Sequence, residues 1–465
     1  MTQQTAALSS ASDRRFRTVR PGVVFFFGSL GALIWGYDNG VLAGALLYIK
    51  PDFHLTPVDT GLIGSFLSIG SATGALLSGL LANALGRKKL IFISSLVFMV
   101  GILLAVIAPN AAVLMAARAV LGLGIGIVAL SIPLFLAEIA PARIRGRIGA
   151  LTQLMIACGI LSAYLTNYAF SESHAWREMF AVMLVPAVVL AVGVWVLPES
   201  PRWLLSRGRE DEARAQLARQ VSAEEVETTM AEMRVTLAHR STPWRQMLQP
   251  GVRKVILLAI ALEMLTQLVG INTITYYAPL ILQKIGFSAS ASILNTIGFG
   301  VISVIFTVIA ARVIDKWGRR PMLYTGALVM AAAMATMAIL SWTVGLTVGV
   351  SGFIAIAALS VFKATYSLSW GTATRIVVSE LLPTRIRGSL QGVAQLFNYA
   401  STFTLSLVFP ILLAEGSGLA FSFFAVMGVV AFFVAFFAQP ETSRRTLEEI
   451  EMGLEAQAVA GAPTP

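Results

Sequence analysis

The chain has 465 residues, of which 57% are hydrophobic and 12% are charged, and its mean hydropathy is +0.78. A water-soluble protein of this length would divide into several domains with polar surfaces, and this composition excludes that class. Apolar runs of about 20 residues recur along nearly the whole chain. They predict an all-α membrane protein, because a helix satisfies its own backbone hydrogen bonds inside lipid.

The formal net charge of +10 comes from Lys and Arg residues that fall in alternate loops. By position, 28 of the 34 Lys and Arg residues lie on one side of the predicted membrane. This asymmetry is the positive-inside pattern, so the basic charge does not indicate a nucleic-acid partner. It predicts that both termini are cytoplasmic and that the number of spans is even.

The predicted elements form two halves of six spans each. A tail at 1–20 precedes the N-terminal half at 21–198, and a linker with short helices at 199–250 precedes the C-terminal half at 251–440 and a tail at 441–465. In the linker, Glu210 and Arg214 have the spacing of a pair across one helical turn. The predicted spans are Gly22 to Ile49, Thr60 to Leu85, Leu90 to Ile107, Ala112 to Ile139, Ile148 to Phe170, Met179 to Leu197, Val252 to Leu282, Ala291 to Val313, Pro321 to Thr343, Thr347 to Val378, Gly388 to Leu413 and Leu419 to Ala438.

Loop motifs are duplicated between the halves. The segment from Glu138 to Gly146 recurs 242 residues further on, from Glu380 to Gly388, and Pro198-Glu199-Ser200 recurs at the same offset as Pro440-Glu441-Thr442. A duplicated membrane bundle with charged loops is typical of a transporter. The acids and bases of these loops are either solvated helix ends or ionic latches that separate when the inner side opens. The candidate gating pairs are Glu138 with Arg145, Glu380 with Arg387, and Asp315 with Arg319.

Charged side chains inside apolar spans are the sharpest functional signal. Asp38 in the first span and Arg118 in the fourth each cost roughly 2.5–3.5 kcal/mol at a helix centre on insertion scales. They are either a structural ion pair or a protonation site whose proton affinity is set by the neighbouring cation. We favour the second interpretation, because intramembrane carboxylates usually serve a function.

Amide side chains are a weaker signal for a ligand. Gln267 and Asn272 flank Gly270 in the seventh span, where a helix could loosen. Amides both donate and accept hydrogen bonds, so together with Gln153 and Asn398 they suit a hydroxyl-rich ligand. The alternative is hydrogen bonding between helices. Two aromatic residues follow, Tyr276 and Tyr277. They either pack in the core or form a lid at the outer end of a broken helix.

Glycines predict close helix packing. The second span has glycine at 61, 64, 70, 74 and 79. The run Gly122-Leu-Gly-Ile-Gly126 resembles a dinucleotide-binding loop, but no strand precedes it, so helix packing is favoured.

Other chemistry is not indicated. The single Cys158 excludes an internal disulfide, and His54, His174 and His239 sit in separate loops, so no metal or other cofactor is expected. No nucleophile and base emerge as a pair, which argues against an enzyme.

With these residues in hand, the chain resembles the sugar porter family of the major facilitator superfamily from about residue 22 to 450. In its first half it is most similar to the bacterial glucose and galactose proton symporters. The motifs that carry the resemblance are Gly36-Tyr-Asp-Asn-Gly40, Gly86-Arg-Lys-Lys89, Glu138 to Gly146, Pro198 to Arg202, Gln267-Leu-Val-Gly-Ile-Asn272 with Tyr276-Tyr277, Asp315 to Arg320, Glu380 to Gly388 and Pro440-Glu-Thr442.

The resemblance implies a twelve-helix major facilitator fold in the bacterial inner membrane. The implied function is uptake of a sugar, such as a hexose, together with a proton by alternating access, with the protein acting as a monomer. By this resemblance Asp38 carries the proton and Arg118 is its partner. The implied sugar-binding residues are Gln153, Gln267, Asn272, Asn398, Gly371, Thr266 and Trp35. A facilitative uniporter for sugars or polyols, a sugar-acid transporter and a non-transporting sugar sensor remain as rivals.

The chain departs from the family pattern around the tenth span. Arg375 stands where the family has a sugar-stacking Trp, Thr266 replaces the first of two Gln residues, and Tyr399 replaces a Trp. The loss of the Trp removes an apolar platform and leaves sugar acids or polyols open as substrates. A guanidinium inside a span needs a carboxylate or water. We favour an ion pair with Glu263 over an anionic substrate.

Overall fold

The computed structural model describes residues 21–139, 145–219, 223–238, 250–382 and 387–441. These residues form eighteen α-helices, which we number α1 to α18, and no strand.

Single helices form the first five spans of the N-terminal half. The helix α2 begins with a capping box, in which the Thr56 hydroxyl accepts from the Asp59 amide at 3.1 Å and the Asp59 carboxylate accepts from the Thr56 amide at 3.0 Å. It ends at Gly86, whose φ of +86° favours glycine. The helices are α1 Pro21–Asp52, α2 Pro57–Leu85, α3 Arg87–Val106, α4 Ala111–Ile139 and α5 Arg145–Ala169; α6 Trp176–Ala181, α7 Leu184–Gly193 and the 3₁₀ turn Val194–Val196 make the sixth span.

The linker between the halves forms three short helices, α8 Pro201–Ser206, α9 Glu210–Leu217 and α10 Ala223–Ala238. Its ion pairs differ from the expected pair of Glu210 with Arg214. Arg214 instead donates to Glu227 at 2.7 Å, and Glu210 accepts from Arg234 at 2.7 Å. Arg214 also lies 3.8 Å from Asp211 of its own helix. The pairs between α9 and α10 form because apolar residues of α8, α9 and α10 pack into a small core.

Two spans of the C-terminal half are broken. The seventh consists of α11 Pro250–Leu268 and α12 Ile271–Ile285, separated at Gly270, which has a left-handed φ of +99°. The tenth consists of α15 Val350–Leu368 and α16 Trp370–Leu381, separated at Ser369. The other helices are α13 Ala289–Trp317, α14 Arg319–Thr343, α17 Arg387–Glu415 and α18 Ser417–Phe433, which continues as the π turn Val434–Ala438.

Among the residues that the structure describes, eleven helices are long and apolar enough to cross a membrane by length and composition. The helix α5 makes the twelfth; it is less apolar, with Thr152, Gln153 and Asn167 among its residues, and it packs along α1 and α13. The predicted fold of twelve membrane helices in two sets of six is confirmed. The predicted span boundaries agree with the helices to within about one turn.

Glycines allow helices of the N-terminal half to touch backbone to backbone. A Cβ added at Gly36 of α1 would lie 2.0 Å from the carbonyl oxygen of Ile156 in α5. A Cβ at Gly70 of α2 would lie 1.9 Å from the carbonyl oxygen of Ala119 in α4. The expectation for Gly79 is wrong, because a Cβ there would meet nothing within 4 Å.

The two halves meet where α2 packs on α17 and α5 packs on α13. A Cβ at Gly61 of α2 would lie 2.4 Å from the carbonyl oxygen of Leu407, and a Cβ at Gly300 would lie 3.0 Å from the Leu161 side chain. These positions lie toward the ends of the helices remote from the duplicated charged loops. We call the end with those loops the charged end, and the other the opposite end.

We predict that Gly70→Ala lowers the melting temperature of the purified protein, because the added methyl overlaps the Ala119 carbonyl, and overpacking costs about 1–3 kcal/mol. Gly79→Ala on the same helix is the matched control. It should leave the melting temperature unchanged or raise it, because alanine is favoured over glycine in helices by up to about 1 kcal/mol. Equal melting temperatures for the two variants would contradict the close approach of α2 and α4.

Candidate substrate and proton site

Asp38 and Arg118 are in contact at the centre of the N-terminal half. The Arg118 Nη1 donates to Asp38 Oδ1, and its Nε donates to the Ile63 carbonyl oxygen of α2 at 3.4 Å. Both side chains are fully buried, with relative exposures of 0%. Asp38 Oδ2 and Arg118 Nη2 have no hydrogen-bond partner among the described residues. The pair is therefore in place but incompletely satisfied, and a free carboxylate oxygen is able to receive a proton.

A chain of amide side chains lies in the C-terminal half. Asn272 donates to Gln267 Oε1 at 2.8 Å, and Gln267 donates to Asn398 Oδ1 at 3.1 Å. Asn398 in turn donates to Glu263 Oε2 at 2.8 Å. The helix is interrupted at Gly270, and the side chains of Gln267 and Asn272 bond to each other across this interruption. These amides can exchange their mutual hydrogen bonds for bonds to ligand hydroxyls.

The remaining candidates for sugar contact are spread around this chain. Gln153 of α5 is half-buried, and its amide has no hydrogen-bond partner among the described residues. Trp35 of α1 lines a small cavity between the halves. Three other residues are less available to a ligand. The Thr266 hydroxyl donates to the Leu262 carbonyl at 2.8 Å. Gly371 packs on Tyr366, and Tyr399 is only 6% exposed.

Tyr276 and Tyr277 of α12 bridge the two halves toward the opposite end. The Tyr276 hydroxyl donates to Asn39 Oδ1 at 3.0 Å, directly beside Asp38. The Tyr277 hydroxyl donates to the Ser406 carbonyl at 2.9 Å and approaches the Thr60 carbonyl at 3.4 Å. Both side chains are 1% exposed, so they close the space between the halves on this side.

At the charged end, Glu138 and Glu380 each pair with an arginine at the start of another helix. Glu138 accepts from Arg87 Nη2 at 2.8 Å, and Glu380 accepts from Arg319 Nη2 at 3.4 Å. Each of these pairs joins two helices of the same half. The pairings of Glu138 with Arg145 and of Glu380 with Arg387 stay predictions. The side chains of Arg145, Arg387 and Asp315 lie outside the described residues. The described pairs hold each half together and do not tie one half to the other.

Glu199 and Glu441 bond to the start of a helix, a structural role that the sequence analysis missed. Glu199 Oε1 accepts from the Arg87 amide at 3.0 Å at the start of α3. Glu441 Oε1 accepts from the Arg319 amide at 3.1 Å at the start of α14. A carboxylate is favourable at a helix N-terminus. Both preceding glycines have a φ of +86°, and a Cβ on Gly86 would lie 2.6 Å from Glu199 Oε2. The shared offset of the two Pro-Glu motifs was the available signal.

The favoured ion pair between Arg375 and Glu263 is not formed. Glu263 Oε2 is bonded to Asn398, whereas the Arg375 guanidinium lies over the Trp35 ring, 4.9 Å from its centroid. Arg375 still acts electrostatically on Glu263, so the two are neighbours without contact. The interpretation failed because Asn398, from a helix distant in sequence, supplies the hydrogen bond that Glu263 needs.

Lys363 of α15 is a second buried cation to which the sequence analysis gave no role. Its side chain is 4% exposed, and its Nζ donates to the Thr275 hydroxyl at 2.6 Å. The Thr275 carbonyl accepts from the Tyr164 hydroxyl of the other half at 3.2 Å. Lys363 therefore helps to hold α12 where it meets the N-terminal half. A lysine within an apolar span was the available signal.

No group of three or more His, Cys, Asp or Glu side chains suited to a metal ion occurs among the described residues. The arrangement of two six-helix halves around a buried ion pair, a chain of amides and a closing aromatic pair defines the class of membrane transporters with alternating access. The chain belongs to the family described as "Sugar (and other) transporter", which matches residues 24–454. The resemblance to sugar porters is thereby confirmed.

Individual relatives agree with this assignment. The chain is 38% identical over 433 residues to the glucose transporter GlcP of Staphylococcus epidermidis, covering 93% of this chain and 97% of that protein. It is 34% identical over 435 residues to the galactose-proton symporter of Escherichia coli, covering 93% of this chain and 94% of that protein. A partially occluded inward-open structure of the E. coli xylose transporter XylE superposes with a TM-score of 0.80 at 27% identity, covering 91% of this chain and 99% of that chain.

We predict that Arg87→Met destabilises the protein by about 3–5 kcal/mol, because it leaves the Glu138 carboxylate buried without its cation. The double variant Arg87→Met/Glu138→Gln should recover much of this loss. In the C-terminal half, Arg319→Met should cost less, because its pair is 12% and 22% exposed rather than 6% and 6%. Unfolding free energies in detergent check this. Equal losses in the two halves, or no recovery in the double variant, would contradict the burial argument.

Proposed function

We propose that the protein takes up a monosaccharide together with a proton by alternating access. The observation that carries the proposal is the fully buried pair of Asp38 and Arg118 next to Asn39, which holds the closing residue Tyr276. A protonatable carboxylate beside a gate links the occupancy of the proton site to the opening of the gate. The glucose and galactose transporters to which the chain is similar support this reading.

The proton acts through the ion pair. When Asp38 is ionised, its attraction to Arg118 draws α1 and α4 together in a medium of low dielectric constant. Protonation removes that attraction and leaves Arg118 with the Ile63 carbonyl of α2. The relative cost of the two conformations therefore changes with the proton, as coupled transport requires.

The sugar acts through the amides. Gln267, Asn272 and Asn398 satisfy one another in this structure, so their donors and acceptors are already aimed at the same space. A ligand with several hydroxyls replaces these bonds with its own. Gln153 approaches from the N-terminal half, so a bound sugar is held by both halves and favours their closure around it.

The charged end is assigned to the cytoplasm by the positive-inside pattern. With this orientation, the end closed by Tyr276 and Tyr277 faces the outside of the cell. We place the protein in the inner membrane of a bacterium with both termini cytoplasmic, acting as a monomer.

We predict that Asp38→Asn abolishes uphill accumulation of D-glucose in proteoliposomes while leaving counterflow exchange, because the amide cannot carry a proton yet preserves the side-chain shape. Asp211→Asn is the matched control, because this carboxylate is fully exposed in the linker. It should accumulate sugar like the wild type. If Asp38→Asn still concentrates sugar when only a proton gradient is supplied, Asp38 is not the carrier. If the wild type moves sugar equally with and without the gradient, the protein is a uniporter.

A further inference from the structure

Arg375 presents a cation to the cavity between the halves. Its side chain is exposed, and with Trp35, Val128 and Thr152 it lines a small cavity made by α1, α4, α5 and α16. Its guanidinium forms neither a salt bridge nor a hydrogen bond with any described residue. The guanidinium instead lies over the face of the Trp35 ring.

This arrangement is unusual for a charge at membrane depth. Cations inside spans are expensive and normally pair with carboxylates or carbonyls. The buried cations Arg118 and Lys363 each have such a polar partner, because Arg118 pairs with the Asp38 carboxylate and Lys363 donates to the Thr275 hydroxyl. Glu263 is near Arg375 but is bonded to Asn398. The guanidinium is therefore stabilised by an aromatic face and by access to the cavity, and its hydrogen-bond donors remain available.

The geometry favours a planar anion. A guanidinium that lies over an aromatic ring keeps its N–H donors in its own plane, directed sideways from the ring. Two parallel donors in one plane match the two oxygens of a carboxylate. One carboxylate balances the one positive charge, whereas a doubly charged phosphate would leave a second negative charge without a partner.

We propose that Arg375 binds the carboxylate of a sugar acid, so that the preferred substrates are anionic monosaccharide derivatives such as uronates or aldonates. The adjoining amides bind the hydroxyls of the same molecule. The inference rests on the proposed function, because it names the substrate class of the same site.

The test is ligand-induced thermal stabilisation of the purified protein at constant pH and ionic strength. The probes are D-glucuronate, D-gluconate, D-glucose and D-glucose 6-phosphate. In the wild type, at least one sugar acid should reach half-maximal stabilisation at a concentration at least ~10-fold below that of glucose, as expected for a charge-assisted hydrogen bond. This measurement needs no variant and cannot be lost to misfolding.

Variants then locate the effect. Arg375→Gln should remove the preference for the sugar acid. It should change the glucose concentration that gives half-maximal stabilisation by less than about 3-fold. Arg375→Lys should retain part of it, because it keeps the charge and loses the planar fork. Arg312→Gln is the matched control, since Arg312 is exposed at the charged end of α13 and should keep the full preference.

Three results would overturn the proposal: no preference for either sugar acid over glucose in the wild type, tightest binding of glucose 6-phosphate, or an unchanged preference in Arg375→Gln. Proton-driven uptake is measured separately in proteoliposomes. Binding of a sugar acid that depends on Arg375, without proton-driven uptake, supports the inference and contradicts the proposed function. Proton-driven uptake of glucose with no sugar-acid preference supports the proposed function and contradicts the inference.

Discussion

The need to compensate every charge that enters the bilayer shapes this protein. A charged side chain at membrane depth has no bulk water to stabilise it, so it is bonded to a neighbour or opens onto a cavity. Asp38 and Arg118 meet this requirement together, and Lys363 meets it through Thr275. Arg375 meets it by lying over Trp35 at the cavity wall. The first two arrangements join helices, and the third lines the cavity between the halves. The same constraint is therefore met by a bonded partner in two places and by an aromatic face in the third, where the guanidinium keeps its donors.

The duplicated motifs at the charged end make each half a rigid unit. In both halves an arginine at the start of a helix bonds to a glutamate of a neighbouring span, and a second glutamate accepts from its backbone amide. These bonds lie within a half, so movement of the halves relative to each other need not break them. Glycines that allow backbone contact between α1 and α5, and between α2 and α4, further stiffen the N-terminal half. Alternating access requires two rigid halves that move relative to each other at the interface between them.

The sequence predicted the fold well, because the thickness of the bilayer sets the span length. The duplicated loop motifs also show that the chain consists of two related halves. It also brought Asp38 together with Arg118, because two opposite charges within apolar spans of one half have few other partners. It was wrong about Glu263, which bonds to Asn398 and not to Arg375. This acid has both a base and an amide near it, and the choice between them depends on how helices distant in sequence pack. Gly79 shows the same limit, since a glycine in a helix does not reveal whether another helix faces it.

The contact between Tyr276 and Asn39 explains how gate and proton site can influence each other. Asn39 follows Asp38 in α1, and the close packing of Gly36 on the Ile156 carbonyl holds this part of α1 against α5. Because α1 cannot move freely against its own half, a change in the bond between Asp38 and Arg118 is transmitted toward Tyr276. Gly270 separates α12, which carries Tyr276, from α11. The Gln267 and Asn272 side chains bond to each other across this break. If these amides bind the sugar as proposed, the sugar acts on the same short helix that contacts Asn39 beside the proposed proton site.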